Sequence, residues 1–67
     1  MRDPNRLYSF YDELQAIHME KFPDLRFGQL MYGFVYWCMN TKKNDTFDLE
    51  DSEYMELFKE FANEKTR

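Results

Sequence analysis

The side chains able to do chemistry in this chain are few and scattered. His18 and Cys38 are each the single residue of their type, and Ser9 stands nine residues before His18. Nine residues along a helix put Ser9 half a turn away from His18, so no hydroxyl or thiol sits at motif spacing from a base. His18 therefore reads as a satisfied polar residue at the edge of an apolar face. Cys38, within Trp37-Cys38-Met39, reads as a small buried hydrophobe. A nucleophilic thiol would need an electropositive neighbourhood, and none is evident. One histidine and one cysteine cannot build a zinc site of the usual Cys/His kind. The expectation is a protein with no catalytic residue, no metal and no cofactor.

Three other constellations remain. Asp45, Asp48, Glu50, Asp51 and Glu53 form an acidic run. It lacks the glycine and the D-x-[DN]-x-[DN]-G pattern of an EF-hand loop. The readings left are a solvated loop with a helix cap, and a partner-binding segment directed at a basic protein surface. Arg26 and Gln29 lie where a helix begins, among apolar neighbours. With Arg6 they are candidate anion-binding residues, because helix N-termini and guanidinium groups both favour phosphate or carboxylate. The internal reading pairs Arg26 with Asp24 or with the acidic run, and has Gln29 close a hydrogen bond between helices. It is favoured because half-buried polar groups usually find intramolecular partners. Finally, Phe34, Tyr36 and Trp37 could stack on a nucleotide base, with Arg6 or Arg26 on its phosphate, although aromatics at helical spacing more often form core.

These residues must be positioned by helices. Asp3-Pro4 is a start signal, and Leu7, Phe10, Tyr11, Leu14, Ile17 and His18 recur at three and four, which predicts a first helix from Asp3 or Pro4 to Lys21. Pro23-Asp24 opens a second helix, with Asp24 as its cap. Leu25, Phe27, Leu30, Met31, Phe34, Val35, Trp37 and Cys38 form its broad apolar face, and Tyr32, Tyr36 and Met39 extend that face round the other side. Asn40 to Asp45 is a polar loop. Thr46 to Leu49 alternates polar and apolar, which admits a short extended segment. A third helix is capped near Asp51 or Ser52. Tyr54, Leu57, Phe58 and Phe61 are on its buried side, and Lys65 and Arg67 are at its end.

Sixty-seven residues make a single domain, 1–67, of a size that usually needs a staple. A lone cysteine cannot supply an internal disulfide, so self-association is the expected remedy. Seven Phe, five Tyr and one Trp suit that remedy, because aromatics dominate interfaces as well as cores. The expected oligomer interface is the second helix, through Leu30, Met31, Phe34, Val35, Tyr36 and Trp37. Residues 1–43 carry six Lys/Arg against five Asp/Glu, whereas residues 44–67 carry three against eight. With no basic stripe, direct nucleic-acid binding is not expected. No apolar run long enough to span a membrane and no leader are present, so a cytoplasmic chain is expected.

The strings Asp3-Pro4-Asn5-Arg6-Leu7, Phe22-Pro23-Asp24-Leu25-Arg26-Phe27-Gly28-Gln29-Leu30 and Asp45-Thr46-Phe47-Asp48-Leu49-Glu50-Asp51 resemble a group of small proteins encoded by Gram-positive bacteria and their prophages. The likeness covers most of the chain. The Pro-Asp-Leu-Arg-x-Gly-Gln-Leu string is the more specific part, and the acidic segment is looser. Phe27 stands where the group usually has Leu, and Asp48 where it usually has an aromatic. The resemblance implies a phage or mobile-element setting, in which small acidic inhibitors of host defence are common, and implies no reaction. The resulting expectation is an all-α, three-helix, non-enzymatic protein. It would bind itself and a host protein with a basic surface. The alternative is a homo-oligomer that sequesters an anionic nucleotide at subunit interfaces.

Overall fold

A computed structural model describes residues 2–66. Its first helix, α1, is Arg6–Lys21. It starts two or three residues later than the Asp3-Pro4 signal predicts, with Asn5 at the cap position, because the Asp3 Oδ1 accepts the Asn5 N–H at 3.0 Å in a turn ahead of the helix. The chain then passes through a tight 3₁₀-like turn, in which Arg6 N–H donates to the Asp3 carbonyl and Leu7 N–H to the Pro4 carbonyl, before regular winding starts. The helix ends at Lys21, ahead of Pro23. Leu7, Phe10, Leu14 and Ile17 are half-buried, and none of the helix is fully buried.

The second helix, α2, is Phe27–Trp37, two residues later than a cap at Asp24 predicts. Pro23 and Asp24 instead sit in a turn closed by Leu25 N–H donating to the Phe22 carbonyl at 3.1 Å. Gln29 Oε1 accepts the Arg26 backbone N–H at 2.9 Å, which places the cap at Arg26 and overrides Asp24. Beyond Trp37 the winding widens into a π-helical turn, Cys38–Lys42, where a polar loop was expected. A clip holds that turn in place: Lys42 Nζ lies 2.8 Å from Glu60 and 5.8 Å from the centre of the Trp37 ring, and Trp37 Nε1 donates to Glu64 at 3.2 Å. Lys43 ends the turn in the left-handed region at φ 56°. An L side chain is disfavoured there by about 1–2 kcal/mol. Glycine relieves that strain at some entropic cost, so Lys43→Gly should raise the melting temperature by roughly 2–6 °C. A melt followed by circular dichroism checks this, and a lower midpoint would show that the Lys43 side chain contributes more than its backbone costs.

Residues 46–49 are not extended. Thr46–Asp48 is a 3₁₀ turn, because Asp45 Oδ1 accepts the Phe47 N–H at 3.0 Å and Leu49 N–H returns to the Thr46 carbonyl. A short aspartate competes with sheet-type pairing through just such a local bond. No strand occurs among the described residues. The third helix, α3, is Asp51–Lys65; its cap is Glu50, ahead of the expected Asp51 or Ser52, because Glu53 Oε1 reaches back to accept the Glu50 N–H at 3.2 Å. Lys65 occupies its last turn, and Arg67 lies outside the described residues.

The chain is an all-α, three-helix domain, and its hub is α3, not α2: α3 packs on both α1 and α2. Leu30, Phe34, Trp37 and Cys38 of the α2 segment meet Met55, Phe58, Phe61 and Ala62 of α3 in the core. Leu30, Phe34 and Trp37, expected at an oligomer interface, are thus consumed inside one copy. Met31 and Val35 are half-buried, and Tyr36 points outward. The molecule measures 36 × 27 × 19 Å, so it is about two helices deep. Its 12.0 Å radius of gyration exceeds the ~11 Å of a compact chain of this length. That flatness leaves the outer side of α2 bare.

Candidate functional site

The connector between α2 and α3 is the most unusual surface. Residues 45–56 hold six acids and no base. Phe47, in the middle of the 3₁₀ turn, is 88% exposed, more than any other large apolar residue described. Its backbone is fixed on both sides, by the Asp45 carboxylate before it and by Leu49, which is half-buried, after it. Exposing a phenylalanine on a rigid turn gains nothing within this chain. Its periodicity suggested a strand, so Phe47 escaped the sequence-based site. The Asp45-x-Phe47 spacing of an Asx turn was the signal that could have revealed it.

The acidic candidates divide by what they do internally. Asp45 caps the turn and Glu53 caps α3. Glu50 pairs with Arg2 at 2.7 Å, and Asp51 with Arg6 at 2.8 Å. Arg6 also donates from Nη1 to the Asp3 carbonyl. Two of the five candidates thus spend charge on the N-terminal segment, though such exposed pairs contribute only ~0–1 kcal/mol each. Among the described residues Asp48 makes no ion pair.

The anion-binding candidates do not converge. Arg6 is the first residue of α1 and Arg26 follows its far end, roughly 24 Å away along a 16-residue helix. Gln29 closes the cap of α2, not a bond between helices. Asp24 is not within ion-pair distance of Arg26 among the described residues. Arg26 instead borders a shallow hollow of about 550 Å³ with Met19, Leu25 and Phe27. His18 Nε2 lies 2.8 Å from the Leu25 carbonyl, which ties α1 to the turn and gives that ring nitrogen a partner.

A second cleft, about 460 Å³, runs between α1 and α3 past Arg6, Ser9, Glu13, Asp51, Glu56 and Lys59. Arg6 is engaged by Asp51, and Lys59 Nζ lies 3.6 Å from Glu13. Ser9 is about 13 Å along α1 from His18, too far to be activated by it. Among the described residues no cluster of three or more His, Cys, Asp or Glu is arranged to hold a metal.

Cys38 is buried, and burial pushes its thiol up from the ordinary 9.0, with Glu60 adding and Lys42 opposing. Burial likewise raises Tyr54 from 10.0, with Cys38 adding. Both groups hold their protons longer in the folded chain than in the unfolded one. Their contribution is therefore intact below about pH 9 and is lost as pH climbs through the raised values. The urea midpoint should be flat from pH 7 to 8.5 and fall above pH 9. In Cys38→Ala the fall should begin nearer pH 10, and an unchanged onset would contradict the assignment.

No helix of the described residues is long and apolar enough to cross a membrane. Comparison with family models, curated proteins and solved structures finds no match.

Proposed function

We propose that this chain is a small, non-enzymatic interaction protein of phage type, an inhibitor that acts in the host cytosol by binding a host defence protein directly. The observation that carries this reading is Phe47, held 88% exposed on a capped turn inside a segment of six acids and no base. Aromatic side chains that enter a pocket at the centre of an interface supply most of its binding energy. Fixing the backbone before contact lowers the ordering cost. Acids around such an anchor select a partner whose pocket has a basic rim, and they speed encounter. Asp48 is the acid best placed for that, since Glu50 and Asp51 already face arginines of their own chain. The resemblance of Pro23–Leu30 and Asp45–Asp51 to prophage-encoded chains supports the setting.

The test is a pull-down from a Gram-positive host extract with immobilised wild-type, Phe47→Ala and Asp48→Lys chains. A host protein retained by wild type at low salt, lost with Phe47→Ala and reduced with Asp48→Lys, is the expected result. Equal recovery on all three would remove the turn from consideration. Sequestration of an anionic nucleotide is the weaker reading, because Arg6 is occupied by Asp51 and stands far from Arg26.

A further inference from the structure

The outer side of α2 is a second surface, with different chemistry. Opposite the buried Leu30, Phe34 and Trp37 lie Gly28, Tyr32, Tyr36 and, past the helix end, Met39, at spacings of three and four. Tyr32 is 76% exposed, Tyr36 62% and Met39 56%. From Phe27 to Thr41 the chain carries no charged residue at all. A surface helix of a small acidic protein would ordinarily place charges on this side.

We infer that the outer face of α2 docks on a second copy of itself through Tyr32, Tyr36 and Met39. Charge decides between occupants. A basic partner is matched to the acidic turn, whereas this face offers it no countercharge. A copy of the same uncharged face is complementary to itself under two-fold pairing. Area agrees. Three large side chains at these exposures offer roughly 450 Å² per copy. A pair then buries about 900 Å², the size of a weak, reversible interface, so the dimer is expected to form only as concentration rises. A Cβ added at Gly28 would meet nothing within one copy. Internal packing therefore does not demand a glycine in that first turn, and it leaves room for a neighbouring backbone.

Sedimentation equilibrium from about 5 to 500 µM tests the inference. The wild-type mass should double across that range, and Phe47→Ala should double with it, which separates this surface from the acidic turn. Tyr32→Glu/Tyr36→Glu should stay at monomer mass with unchanged helical signal. Should the charged pair disturb the fold, Tyr32→Ala/Tyr36→Ala, which adds no charge, should weaken the dimer at least ~10-fold. A wild-type chain that stays monomeric at 500 µM, or alanine variants that dimerise as tightly as wild type, would overturn the inference; the former would assign the face to a different protein.

Discussion

Phe34→Ala is expected to leave the chain largely unfolded at 37 °C. The Phe34 ring lies 4.9 Å from Tyr54, 5.1 Å from Phe58 and 5.5 Å from Phe61, the latter two edge-on, and 6.3 Å from Trp37 in a stacked arrangement. One side chain thus joins α2 to α3 through three aromatic neighbours on α3, with Trp37 stacked beside it on α2. Truncating a buried phenylalanine costs about 3–5 kcal/mol, from lost transfer energy and the cavity left behind. A 67-residue domain has roughly 3–10 kcal/mol in all. Little stability remains after the loss. Phe34→Leu keeps most of the volume and forfeits only the ring–ring contacts, so it should fold with a lowered midpoint. Trp37 fluorescence during urea titration reads both variants. A Phe34→Ala midpoint within a few tenths of a molar of wild type would mean that the core is not organised around this ring.

Phe47→Ala should do the reverse. Its ring contributes little to the core, so the melting temperature should move by less than ~2 °C, while partner affinity should fall about 30- to 100-fold, the loss expected of an interfacial aromatic anchor. Asp48→Lys should cost roughly 3- to 10-fold, mainly through slower association, and the wild-type advantage over it should shrink as salt rises. Together the two variants should separate stability from recognition, with Phe34→Ala expected to remove both and Phe47→Ala to remove recognition alone. Surface plasmon resonance on the recovered partner, at 50 and 500 mM salt, measures these effects.

The helices were legible because their information is local. Spacings of three and four marked α1 and α3, and Pro23 marked where α1 must stop. The start of α2 was misplaced for a reason that is also local but reciprocal. Gln29 reaches back to Arg26, and this bond outcompetes the cap signal at Asp24. The π-helical turn was hidden, because Asn40, Thr41 and Lys42 are polar in composition and are held in helical winding by a lysine clipped to Glu60, 18 residues on. Distance in sequence also concealed the pairing of Arg6 with Asp51, 45 residues apart, and with it the internal use of part of the acidic run. The breadth of the apolar face on α2 is visible in the sequence. Its division is not, because only the packed structure shows that α3 covers Leu30, Phe34 and Trp37 and leaves Tyr32 and Tyr36 bare. The exposure of Phe47 was hidden, since four alternating positions cannot reveal that an aspartate will curl them into a turn.

The most direct measurement places a photoreactive benzoylphenylalanine at position 47 and, as a comparison, at Tyr8, which is also exposed but lies on α1. Illumination in cells of a Gram-positive host should give one dominant adduct with a host protein from position 47, reduced by Asp48→Lys in the same chain. Adducts of equal yield from position 8, or none from position 47, would contradict recognition through the acidic turn.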